Sequence, residues 1–231
     1  FRKPFILPAL RTLNSKEGQI IPKKVENPYS GKPWLKYYDA GVPPSLDYPV
    51  IPLYQIMYDA ARDFPDRVGM NFMGRKWTFK QSLEEMERFA TALAALGVKK
   101  GDVVAIALPN FPQFYAAYFG TLRVGGTVVS LNPTLAPPEY EHILSDCGAE
   151  TIVAYDMLLP TMRALKNKTK LKRIIITGLA DALPGAKPPK EVEGAQQFLS
   201  LLEKYNANPP SVKINPKEDV AVIQYTGGTT G

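Results

Sequence analysis

An α/β domain built on a mainly parallel sheet, with helices on both faces, is the fold this 231-residue sequence predicts. Three observations lead there. Residues 103–108, 127–131 and 151–155 are short, nearly continuous apolar runs without the polar alternation of a strand that faces water on one side. Stretches of helical periodicity separate these runs, as in successive right-handed βαβ crossovers. The last uncharged run, residues 220–224, breaks into Tyr225-Thr226-Gly227-Gly228-Thr229-Thr230-Gly231. A glycine-rich break at the carboxyl end of a strand is where open α/β sheets bind ligands.

Taken in order, residues 1–52 hold nine prolines and little periodicity, which reads as an extended arm. Residues 53–63 carry a helical apolar stripe, and Phe64-Pro65-Asp66 stops it. Residues 68–73 and 75–78 read as a hairpin about Gly74. Thr78 and Gln81 form a capping-box pair for a helix with Leu83, Met86, Ala90, Leu93 and Leu96 on its buried face, and Gly97 ends it. Strands at 102–108, 127–131, 151–155 and 173–177 then alternate with helices at 112–124, 137–147 and 158–166. Residues 181–194, with Pro184, Pro188 and Pro189, read as a mobile excursion, followed by a short helix at 196–205 and an Asn- and Pro-rich connector at 206–216. The expected segments are therefore an arm at 1–52, an α/β subdomain at 53–180, an excursion with helix and connector at 181–216, and the terminal strand and loop at 217–231.

Composition excludes some chemistry. A hydrophobic content of 45% with 22% charged residues is ordinary for a globular protein with a sizeable core. The net charge of +6 allows an anionic partner, but the basic residues are scattered or paired, as in Lys99-Lys100 and Lys172-Arg173, which argues against nucleic acid. One cysteine, Cys147, rules out an internal disulfide or a cysteine metal cluster and fits a reducing, cytoplasmic setting. The single histidine, His142, reads as an exposed helix position, so a Ser-His-Asp or multi-histidine metal mechanism has too little to work with. The uncharged stretch at 103–122 contains Pro109, Asn110, Pro112 and Gln113, which suits a strand, a turn and a helix better than a membrane span.

The terminal septet suits a phosphate. Glycines let backbone N–H groups approach an anion, and Thr226, Thr229 and Thr230 add hydroxyl donors. An ordinary strand-to-loop turn remains open from composition alone, as does a Walker A loop opening at Gly227, which would need Gly-Lys directly after Gly231.

The septet after a hydrophobic strand resembles the front half of the nucleotide phosphate loop of the AMP-forming adenylating enzymes, and its Gly227-Gly228 pair resembles the long-chain fatty-acid-CoA ligases among them. The resemblance extends over residues 34–231. It is carried by the Trp34-Leu35-Lys36-Tyr37-Tyr38 leader, by Val98-Lys99-Lys100-Gly101-Asp102 and Leu108-Pro109-Asn110-Phe111-Pro112, by Leu131-Asn132-Pro133, and by the run from Glu139 to Ala149. One departure falls at Ala136-Pro137-Pro138-Glu139, where the family usually has a capping Thr in place of Ala136.

The resemblance implies the N-terminal subdomain of an acyl-CoA synthetase-like fold. It implies ATP and Mg²⁺ as cofactors, CoA as co-substrate and a fatty acid as substrate, joined through an acyl-adenylate with release of AMP and pyrophosphate. By resemblance, Tyr225, Thr226, Gly227, Gly228, Thr229, Thr230 and Gly231 hold the ATP phosphates. The family's catalytic and metal-binding residues would lie beyond Gly231, so none is assigned within this chain, which is expected to be an N-terminal portion inactive by itself. An aryl or medium-chain acid, a stand-alone nucleotide-binding module and a non-catalytic scaffold stay open. Peripheral contact with a membrane surface and a homodimer are both compatible with this reading.

Overall fold

The computed structural model describes residues 29–187 and 191–226. Two compact units divide the chain, Phe1–Tyr48 and Pro49–Gly231. In the first, Pro33–Tyr37 forms a 3-10 turn and the rings of Tyr29 and Trp34 lie 6.1 Å apart.

The second unit opens with helix α1 (Gln55–Asp63) and an antiparallel hairpin, β1 (Val68–Phe72) and β2 (Arg75–Thr78). Met73 at φ 48 and Gly74 at φ 88 supply the two left-handed residues of a tight hairpin turn. Helix α2 (Phe79–Ala95) starts at the expected reciprocal cap: Gln81 N–H donates to Thr78 Oγ1 at 3.2 Å, and Thr78 N–H to Gln81 Oε1 at 2.9 Å. Its buried face holds Met86, Phe89, Ala90 and Leu93, whereas Leu83 and Leu96 are half-buried.

The sheet comprises β3 (Val103–Ala107), β4 (Thr127–Ser130), β5 (Thr151–Tyr155), β6 (Arg173–Thr177), β7 (Gln196–Gln197) and β8 (Val222–Ile223), in the order β7-β6-β5-β3-β4-β8. Every neighbouring pair is parallel. Between the strands lie α3 (Pro112–Arg123), α4 (Pro137–Cys147), α5 (Leu159–Lys166) and α6 (Phe198–Lys204).

The apolar runs have their reason in two separate cores. In β3, Val104 and Ile106 face one core with α2, α3 and α6, while Ala105 and Ala107 face the other with α4 and α5. Ile175 in β6 likewise faces the first and Ile174 and Ile176 the second. With both faces covered, neither parity of the strand can be polar. Among the described residues no helix is long and apolar enough to cross a membrane, and residues 103–122 divide into β3, a turn and α3.

Two features depart from the periodicity. Gln196 and Gln197, expected to begin a helix, form edge strand β7 against β6, and α6 starts only at Phe198. The start of the expected excursion is anchored, since the buried Asp181 carboxylate accepts from Thr177 Oγ1 at 2.7 Å and from Gly178 N–H at 3.2 Å.

Side chains of the α2 and α3 region strap the connector after α6. Asn208 N–H donates to Thr91 Oγ1 at 3.1 Å, and Arg123 Nη1 donates to the Pro210 carbonyl at 2.9 Å. Lys100 Nζ donates to the Lys213 carbonyl at 2.9 Å. This path delivers the chain to β8.

Candidate functional site

Strand β8 lies at the sheet edge beside β4, with Val128 opposite Val222 and Val129 opposite Ile223. Val128 N–H donates to the Ala221 carbonyl at 2.9 Å, and Thr127 Oγ1 to the Val220 carbonyl at 2.9 Å. Because the two strands are parallel, their carboxyl ends open on the same side. Tyr225 and Thr226 leave β8 there. Gly227, Gly228, Thr229, Thr230 and Gly231 lie outside the described residues.

A cleft of about 620 Å³ occupies this corner, between the ends of β4 and β8 and one face of α4. Leu131, Leu135 and Ile143 give it an apolar floor, while Asn132, Glu139, His142, Gln224 and Thr226 supply polar groups. On α4, Glu139, His142, Ile143 and Asp146 share a helical face through spacings of three and four residues.

Tyr225 bridges strand exit and helix. Its phenol donates a hydrogen bond to Asp146 Oδ2 near the end of α4, and its ring packs against the second core. Burial, and then the bond to Asp146, push its pKa far above the ordinary tyrosine range, so it stays a neutral donor at physiological pH. The Thr226 side chain is exposed at the rim of the cleft.

The N-terminus of α4 also faces this corner, and Glu139 already serves it by accepting from Ala136 N–H at 2.7 Å. Ala136 has no side-chain oxygen, so only that half of a reciprocal cap exists here. The remaining partial positive charge of the helix end is thus countered by a resident carboxylate.

Glu139 and Tyr225 are engaged in holding structure, and no group of three or more His, Cys, Asp or Glu residues able to hold a metal occurs among the described residues. The corner thus sets the apolar Leu131, Leu135 and Ile143 beside polar groups from both α4 and the segment leaving β8. His142 is exposed, as its helix position suggested, yet it lines the cleft. Sequence reasoning passed over Asp146 and Glu139 as site-forming groups. Their shared helical face was the available signal, but which face of α4 turns toward β8 depends on packing. Cys147 is half-buried, and its thiol is pushed up chiefly by burial, which suits packing rather than nucleophilic attack.

The chain is similar to known proteins in sequence and in fold. The family model described as AMP-binding enzyme matches residues 57–231. A long-chain-fatty-acid–CoA ligase of Bacillus subtilis is 36% identical over 217 residues, covering 87% of this chain and 39% of that protein. One from Yersinia pestis is 35% identical over 217 residues, with the same shares of 87% and 39%. Among solved structures, a long-chain-fatty-acid-CoA ligase from Archaeoglobus fulgidus superposes with a TM-score of 0.70 at 30% identity, covering 84% of this chain and 38% of that one. An anthranilate CoA ligase in complex with anthranoyl-AMP gives a TM-score of 0.71 at 24% identity, over 80% of this chain and 34% of that one, a likeness of fold. The chain spans about 39% of the length of the two curated relatives named above.

Proposed function

We propose that this chain, which belongs to the AMP-binding enzyme family, forms the N-terminal portion of an enzyme that activates a fatty acid with ATP and passes the acyl group to CoA. In the first step a carboxylate oxygen attacks the α-phosphorus of ATP, the bond to the β-phosphate oxygen breaks, and acyl-adenylate and pyrophosphate result. In the second, the CoA sulfur attacks the acyl carbon, its proton is lost, and AMP leaves.

The part assigned to this chain is the grip on the phosphates. Residues 225–231 hold them, through glycine N–H groups and threonine hydroxyls, beyond the carboxyl end of β8. Such holding presents the α-phosphorus in line and is the protein's main contribution to a reaction of this kind. Mg²⁺ would supply charge neutralisation on the phosphates, but the described residues offer no group of three or more His, Cys, Asp or Glu side chains to hold it. The observation that supports the reading is the exit of Tyr225 and Thr226 at the mouth of the cleft, on the ligand-binding side of a parallel sheet.

Fatty-acid-dependent ATP–pyrophosphate exchange in the full-length enzyme, scanned over acyl chain length and aryl acids, tests this. Exchange that peaks with long-chain acids is expected and should collapse on combining Gly228→Val with Thr229→Ala. Nucleotide binding without exchange would indicate a non-catalytic module, and exchange with aryl or medium-chain acids alone would move the substrate assignment. The 231-residue chain by itself is expected to form no acyl-adenylate.

A further inference from the structure

We propose that Lys100 is a positioning residue for the phosphate-holding loop, setting the register of β8 from the opposite end of the strand. The proposal rests on the assignment of residues 225–231 to phosphate binding.

Strand β8 needs such a device. Among the described residues it is joined to β4 alone, through the pairs at Val222 and Ile223 and through the Ala221 and Val220 carbonyls, which accept from Val128 N–H and Thr127 Oγ1. So short a ladder specifies register weakly, and a slip of one residue would shift the strand by ~3.3 Å and turn each side chain to the other face. Tyr225 would then leave Asp146, and Thr226 would leave the cleft.

Lys100 supplies a reference outside the ladder. Its Nζ lies 2.6 Å from Asp219 Oδ2 and also donates to the Lys213 carbonyl at 2.9 Å. Asp219 Oδ2 in turn accepts from Asn215 N–H at 2.7 Å. One ammonium thus joins both arms of the turn that leads into β8.

The stem of Lys100 is itself held. Gly101 N–H donates to the Gly125 carbonyl at 2.8 Å, so the loop before β3 is fixed to the loop before β4. A Cβ on Gly125 would stand 3.0 Å from Lys100 Cγ and 3.0 Å from Val212 Cγ1, so the lysine stem and the connector meet over a bare glycine. An exposed ion pair alone would carry little weight. This one combines a carboxylate, a backbone carbonyl and a packed stem, on a loop attached to β3 and β4.

The test uses the full-length enzyme with Lys100→Met, Asp219→Asn and the double variant. Each single change is expected to raise the KM for ATP about tenfold and to speed amide exchange in residues 220–226, with the KM for CoA unchanged. The double variant should cost clearly less than the two single effects combined, the non-additivity of residues that share a contact, although each also makes a bond of its own, to Lys213 and to Asn215. Unchanged KM for ATP and unchanged exchange in Lys100→Met would overturn the proposal, as would additive effects or a fall in Tm with the KM intact. If the parent enzyme shows no acid-dependent exchange of pyrophosphate, the functional reading fails separately, and the amide-exchange arm still decides whether Lys100 holds β8.

Discussion

The phenol of Tyr225 donates to the carboxylate of Asp146, a residue 79 positions earlier in the chain. It ties the segment leaving an edge strand to the far end of the helix that forms the other wall of the cleft. Tyr225→Phe keeps the ring in the second core and removes only this bond. Tm should change little, because the bond is solvent-exposed, while affinity for ATP in the full-length enzyme should fall several-fold. Isothermal titration with ATP checks it, and an equal loss in Asp146→Asn would tie the effect to the pair.

The missing half of the α4 cap can be restored. Ala136 has the extended backbone of a capping residue (φ −73, ψ 153), and Glu139 already bonds back to its N–H. Ala136→Thr should therefore add ~1 kcal/mol of stability by giving the Glu139 N–H a side-chain acceptor. Urea denaturation should show a higher midpoint with an unchanged slope.

Helices α2 and α3 approach closely at Gly120. A Cβ there would lie 3.1 Å from the Met86 carbonyl oxygen, 3.1 Å from Phe89 Cδ1 and 3.3 Å from Ala90 N. The first and last are backbone atoms that cannot rotate away. Gly120→Ala, although favourable to an isolated helix, should destabilise the domain by ~1–3 kcal/mol through overpacking, read as a lowered Tm.

Alkaline pH should destabilise the domain through the buried Tyr140 and the half-buried Tyr58. Burial raises Tyr58 from 10.0 to about 12, with Arg123 opposing and Glu87 reinforcing, and burial raises Tyr140 to about 12 as well. A group whose pKa is higher in the folded state binds more protons there, so its stabilisation is complete below pH 10 and is lost as pH rises through about 12. Phenolate absorbance should rise in a cooperative step that coincides with loss of helical circular dichroism and loses amplitude in Tyr58→Phe.

Much of the fold was legible because local chemistry and packing agree. Thr78 and Gln81 cap α2 as their spacing implies, and the all-apolar runs become strands with a core on each side. The site was less legible. His142 and Glu139 read as ordinary helix positions, and nothing local marks Asp146 as the partner of Tyr225. Gln196 and Gln197 lack a strand pattern, since their pairing comes from the exposed edge of β6 and not from their own side chains.

The sequence alone determined the alternation of buried strands and helices and the glycine-threonine break after the last apolar run, because propensity, periodicity and backbone freedom act over a few residues. Tertiary structure decided that β8 lies beside β4 instead of beside its neighbours in sequence, that α4 turns the face bearing His142 and Asp146 toward it, and that Lys100 reaches the turn before it. Those are contacts between segments some 80 to 120 residues apart, as for Tyr225 with Asp146 and Lys100 with Lys213. They are chosen by which apolar faces can be buried together, a condition that only the folded chain as a whole can satisfy.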